Sequence, residues 1–104
     1  MTRLHLRFTE EATAQVNAAD AWWRENRASA ATVFSDELRA VTELVTRVPG
    51  IGAPYSSRSL DSVRRAYMRR TRLHAYYVVR GDELVIVAVW SGRRGHGPPL
   101  AAVP

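Results

Sequence analysis

The chain has 104 residues, no cysteine and a formal charge of +5, and all fifteen of its basic residues are arginine. That length provides one domain with a single core, and the missing thiols exclude disulfides and thiolate metal sites. The charge is lopsided: residues 1–57 hold six arginines and seven acids (net −1), residues 58–104 nine arginines and three acids (net +6), so a polyanion or an acidic protein is the partner class to expect for the second half.

The opening MTRLHLRF lacks the apolar run of a signal peptide, and no segment approaches the ~18 apolar residues of a membrane span, so a cytoplasmic protein without membrane contact is expected. Within it Leu4, Leu6 and Phe8 alternate with Arg3, His5 and Arg7, the period of a half-buried strand. Thr9 followed by Glu10 and Glu11 is a helix start, because the hydroxyl caps free N–H groups and the acids sit at the positive end of the dipole. Ala12, Val16, Ala19 and Trp23 then form one narrow stripe with Trp22 at its margin, and residues 26–28 interrupt the helix. From about Ser29, the positions Ala31, Phe34, Leu38, Val41, Val45 and Val48 recur at three and four, predicting a second helix of about five turns. Pro49-Gly50 ends it, with glycine expected in a left-handed cap.

Residues 51–62 read as a turn-rich connection, followed by a strand over residues 63–69 and a turn near Arg70-Thr71. Gly81-Asp82 between two runs of β-branched and aromatic residues predicts a type II′ hairpin, since glycine supplies the positive φ. With Arg80 opposite Glu83, the register pairs Val79 with Leu84, Tyr77 with Ile86, Ala75 with Ala88 and Leu73 with Trp90, all on one face with Ala66 and Met68. That face is the one the helices must cover. The other face would carry Val78, Val85, Val87 and Val89 near the turn, and Arg65, Tyr67, Arg69, Arg72, His74 and Tyr76 at the far end. Residues 92–104 are rich in glycine and proline and read as a flexible tail. The expected architecture is α+β in one domain over residues 1–104: an N-terminal strand and a two-helix hairpin packed on one face of a twisted, mainly antiparallel four-stranded sheet.

Guanidinium groups interleaved with tyrosines and an imidazole suit phosphate neutralisation combined with base stacking. Arg65, Arg69, Arg72, Arg93 and Arg94 are the candidate phosphate- or target-binding residues. His74, Tyr76 and His96 are the candidates for proton transfer if the chain is a nuclease. His5, His74 and His96 have no metal-ligand spacing, and neither a P-loop nor a dinucleotide fingerprint occurs, so no metal or cofactor is expected.

The segments RFTEEA (7–12), RVPGIGAPY (47–55), VRRAYMRRTRLHAYYVVRGDELVIVAVWSGRRG (63–95) and PPL (98–100), in this order and spacing, resemble the RelE/ParE toxins of type II toxin-antitoxin systems. The resemblance implies a helix hairpin on one sheet face and a small antitoxin, acidic and partly disordered in its toxin-binding segment. It also implies one of two targets. RelE-like members cut messenger RNA on the ribosome, with basic and tyrosine or histidine groups on the open sheet face; ParE-like members poison DNA gyrase. The lysines of the RelE-like nucleases have no counterpart here, and GHGPPL stands in place of their terminal tyrosine or histidine-tyrosine. TRLHAYY, VWSGRR and the long second helix look more like the ParE side. A basic nucleic-acid-binding module without toxicity is the reading that the charged sheet alone would permit.

Overall fold

The computed structural model describes residues 3–104; Met1 and Thr2, part of the opening read for a signal sequence, lie outside the described residues. Strand β1 (His5–Phe8) leads into helix α1 (Glu10–Asn26), a 3-10 turn (Ala28–Ala30), helix α2 (Val33–Arg47) and a second 3-10 turn (Pro49–Ile51). Strands β2 (Ala53–Tyr55), β3 (Val63–Met68), β4 (Leu73–Arg80) and β5 (Glu83–Ser91) follow, and a last 3-10 turn spans Gly92–Arg94. The sheet order is β1-β5-β4-β3-β2, with β1 parallel to β5 and the other pairs antiparallel. The α+β class, the helix hairpin and its one-sided packing are as the sequence predicts. The sheet has five strands rather than four, because Ala53–Tyr55 inside the turn-rich connection pairs with residues 63–65. Among the described residues no helix is long and apolar enough to cross a membrane.

Thr9 caps α1 as expected, its side chain accepting a hydrogen bond from the Ala12 N–H at 3.1 Å. Phe34, Leu38 and Val45 of α2 are buried against Met68, Ala75, Tyr77, Leu84 and Ile86, with Val16, Ala19, Trp23 and Val41 packed around them. The α2 stripe is shorter than its sequence period suggests. Residues 28–30 form the 3-10 turn, and Val48, the C-cap, is exposed. Pro49 stops the helix as predicted, but Gly50 takes part in the next 3-10 turn and has no positive φ, so the expected left-handed cap is absent.

Gly81 has φ +60 and the pairs Arg80 with Glu83, Val79 with Leu84 and Tyr77 with Ile86 form as the II′ turn requires. Beyond them the predicted register fails. A bulge at Tyr76/Tyr77 leaves Val87 as the extra residue, so Tyr76 opposes Ala88, Ala75 opposes Val89, His74 opposes Trp90 and Leu73 opposes Ser91. One inserted residue reverses the parity of the strand beyond it. Val89 therefore joins the helix-side core, whereas Ala88 and Trp90, both expected there, lie with the cluster on the opposite face.

That opposite face is itself covered near the turn. Leu60, Val63, Tyr76, Val78, Val85 and Val87 form a second buried cluster, with Tyr55, Leu100 and Val103 packed on it. Residues 95–104 have no regular structure, yet Leu100 O accepts from Ser59 Oγ at 2.6 Å and His96 O accepts from Trp90 Nε1 at 3.0 Å. The apolar side chains of the tail thus close the valine end of the face and leave its arginine end open.

Candidate functional site

The β3–β4 hairpin delivers the cationic end of the sheet. Pairing Tyr67 with His74 and Arg65 with Tyr76 aligns these four side chains on the face turned from the helices, while Ala66 and Met68 point to the core, as predicted. The connecting turn is fixed from α2: the Glu37 carboxylate accepts from Arg70 N at 2.7 Å, Thr71 N at 3.0 Å and Thr71 Oγ1 at 2.7 Å. Charge-assisted bonds of this kind order a loop that its own arginines would otherwise splay by repulsion. At the end of β5, Ser91 Oγ accepts from Arg93 N at 3.2 Å and sets the short turn that places Gly92 beside His74. The outcome is a shallow cavity of about 430 Å³ lined by Tyr67, Arg69, Arg72, His74, Gly92 and Arg93. No carboxylate is among these described lining residues, so three guanidinium groups share the space uncompensated, which favours an anionic ligand.

The setting of His74 favours its neutral form. Burial, then the charge of Arg65, lowers its pKa from the ordinary 6.5, and its Nδ1 is buried without a hydrogen-bond partner among the described residues. Its ring lies 5.0 Å from that of Tyr67, which is 52% exposed. A two-dimensional NMR titration is expected to place the His74 midpoint below 6.5, and Arg65→Gln is expected to raise it only in part, because burial is the larger cause. The linkage has a definite sign: the unfolded chain takes the proton first. The associated stability is complete above pH 6.5 and is lost as the pH falls through the lowered folded-state value.

The sequence-nominated residues divide into three groups. Arg69, Arg72, His74 and Arg93 share the cavity. Arg65 and Tyr76 lie behind it: Tyr76 is 1% exposed, its hydroxyl 3.4 Å from Arg65 Nη1 and its ring edge-on to Tyr55, over which the Arg65 guanidinium sits at 5.3 Å. Arg94 and His96 attend Trp90, Arg94 at 4.1 Å from the ring centroid and His96 edge-on at 5.8 Å. Glu37 and Tyr55 were not nominated. Both act across long sequence separations, and the one local signal was an acid on α2 outside its apolar stripe.

Arg72 has φ +62, a left-handed conformation that costs a side-chain-bearing residue about 1 kcal/mol relative to glycine. Such strain is retained where the side chain is needed. Arg72→Gly is therefore expected to raise stability in urea denaturation by about 1 kcal/mol while weakening the hold of the cavity on an anionic ligand. Lower stability in the variant would contradict the strain argument.

A helix hairpin on one face of a mainly antiparallel sheet, with an arginine-lined cavity at the sheet's far end, defines a small basic α+β protein. Residues 6–95 match the family described as ParE toxin of type II toxin-antitoxin system, parDE. The chain belongs to this ParE toxin family. Its fold is similar to a solved structure described as the chromosomal ParDE TA system from P. aeruginosa, with TM-score 0.70, 20% identity, and coverage of 86% of this chain and 96% of that one. A structure of the YoeB dimer from Staphylococcus aureus also matches, with TM-score 0.48 and 16% identity over 86% of this chain and 97% of that one. No curated protein sequence matches it significantly.

Proposed function

We propose that this chain is held inactive by a cognate antitoxin and, once free, arrests growth by binding DNA gyrase rather than by cleaving RNA. The ParE family match and the likeness to the P. aeruginosa ParDE system support the antitoxin. An acidic, partly disordered segment that folds on the toxin is the partner suited to a region of residues 58–94 so rich in arginine. The observation that carries binding over catalysis is that only one of the three nominated proton-transfer groups lines the cavity. Tyr76, its ring centroid 6.0 Å from that of His74, is 1% exposed beneath Tyr55, and His96 lies against Trp90, so neither is among the described lining residues. Strand cleavage needs a base and an acid on opposite sides of one phosphate.

The second reading, a ribosome-dependent endoribonuclease, is favoured by the contact of His74 with the exposed Tyr67 inside the arginine cavity. Controlled expression separates the two. Accumulated gyrase cleavage complexes with unchanged messenger 5′ ends are expected. Replacing Arg93 and Arg94 with alanine is expected to relieve growth arrest, and His74→Ala to leave it. For a nuclease, His74→Ala would instead reduce cleavage on the order of 10²–10⁴ with folding and antitoxin binding intact. New messenger 5′ ends abolished by that substitution would reverse the conclusion.

A further inference from the structure

A second and larger cavity, about 890 Å³, opens between α1 and the ends of β4 and β5. Its wall on the helix side is Trp22 and Trp23, ring centroids 5.6 Å apart, with the small Ala18 and Ala14 one and two turns away. Trp22 is 49% exposed, whereas Ala12, Val16, Ala19 and Trp23 of the same helix pack inward. Around the mouth stand Arg27, Arg70, Arg72, Arg93 and Arg94, and no carboxylate is among the described lining residues. Two of these guanidinium groups already lie over indole rings, Arg27 at 6.0 Å from Trp22 and Arg94 at 4.1 Å from Trp90.

We propose that this cleft is a single-stranded nucleic-acid site, in which a base stacks on Trp22 while the arginines hold the flanking phosphates. An exposed indole flanked by alanines is a platform for a flat ring, not a row of holes for the branched side chains of a peptide helix. Stacking on an aromatic face beside phosphate-binding arginines is the general way of holding an unpaired strand. Arg72 and Arg93 line both this cleft and the His74 cavity, so the two form one basic track with an aromatic group at each end. A free nucleotide has too few phosphates to engage arginines along such a track, and the commitment is to a strand. The inference does not rest on the identity of the toxin's target and is tested without gyrase or ribosomes.

The test is fluorescence anisotropy of a labelled twelve-nucleotide oligothymidylate with the purified full chain. Saturable binding that weakens with salt is expected. Trp22→Ala is expected to reduce affinity about tenfold through lost stacking. Arg27→Ala should reduce it severalfold and lower the salt slope by about one. Arg39→Ala, at an exposed α2 position away from both cavities, should leave binding unchanged, and circular dichroism confirms the fold of each variant. Equal binding by wild type and Trp22→Ala would overturn the proposal by reducing the interaction to charge. So would displacement of the strand by ATP at equal concentration, which marks a free-nucleotide site, or binding of poly-glutamate of equal charge that is tighter than that of the strand and also falls on Trp22→Ala, which marks an acidic-peptide site.

Discussion

Ile86→Ala is expected to lower the free energy of unfolding by about 2–5 kcal/mol, the range for large-to-small changes at sites that cannot collapse. Ile86 is 0% exposed and lies on β5 between Phe8 of β1 and Tyr77 of β4. Its side chain packs in the cluster that contains Phe34, Leu38 and Val45 of α2, and its carbonyl accepts the Thr9 N–H at 3.1 Å. The backbone is therefore held on both sides by ladders and at one end by the start of α1. Neighbours so constrained cannot move in to fill the space of the lost atoms. Val79→Ala, at a position 39% exposed beside the hairpin turn, is the control and should change stability by less than about 0.5 kcal/mol. Urea denaturation measures both. A loss below about 1 kcal/mol for Ile86→Ala would contradict its place between the sheet and α2.

Gly52→Ala is expected to destabilise by about 1–3 kcal/mol through overpacking, although the residue sits in a loop. A Cβ there would lie 2.5 Å from the Tyr77 hydroxyl oxygen, 2.8 Å from Tyr77 Cε1 and 3.0 Å from the Arg65 carbonyl oxygen. The crowding exists because Tyr77 pins this loop: its hydroxyl donates to Pro49 O at 2.6 Å and accepts from Gly52 N at 2.9 Å. Burial pushes the Tyr77 pKa up, against smaller lowering from the Gly52 bond and Arg64, so the hydroxyl keeps the proton it donates. Arg64 Nη1 adds a bond to Gly52 O at 2.7 Å. Tyr77→Phe should cost about 1–3 kcal/mol because it strips partners from two backbone groups at once. The double variant should cost less than the sum of the two, since both break the same contact. The effect reaches the site through β2, which begins at Ala53 and carries the Tyr55 ring against Tyr76 and Arg65. If Gly52→Ala unfolds like the wild type, the loop has moved aside and Tyr77 is not its anchor.

Most of the fold was legible because its signals are local. The period of Phe34, Leu38 and Val45, the Thr9 cap and the Gly81-Asp82 turn each reflect an interaction spanning a few residues, and each appears where the sequence placed it. The grouping of Tyr67 with His74 on the face away from the helices followed from alternation alone. Alternation failed at Val87. A run of valines and alanine fits either face equally well, so a bulge there leaves no mark in the hydrophobic pattern, and only packing against both clusters selects which of Val89 and Trp90 turns toward the helices.

The cationic site divides along the same line. Sequence supplied its chemistry: arginines concentrated in residues 58–104, with two imidazoles and three tyrosines in the same stretch. Tertiary structure decided which of them act together. Glu37 reaches from α2 to hold the β3–β4 turn, the turn after Ser91 swings Arg93 to His74, and Tyr55 from the unforeseen β2 strand covers Tyr76. Each is a contact between residues far apart in the chain, whose free energy depends on a distance that no local pattern encodes. The chain alone therefore determined that this protein is a helix-backed basic sheet; its long-range contacts decided that four of the nominated residues form one cavity, and that two others stand with Trp90 instead.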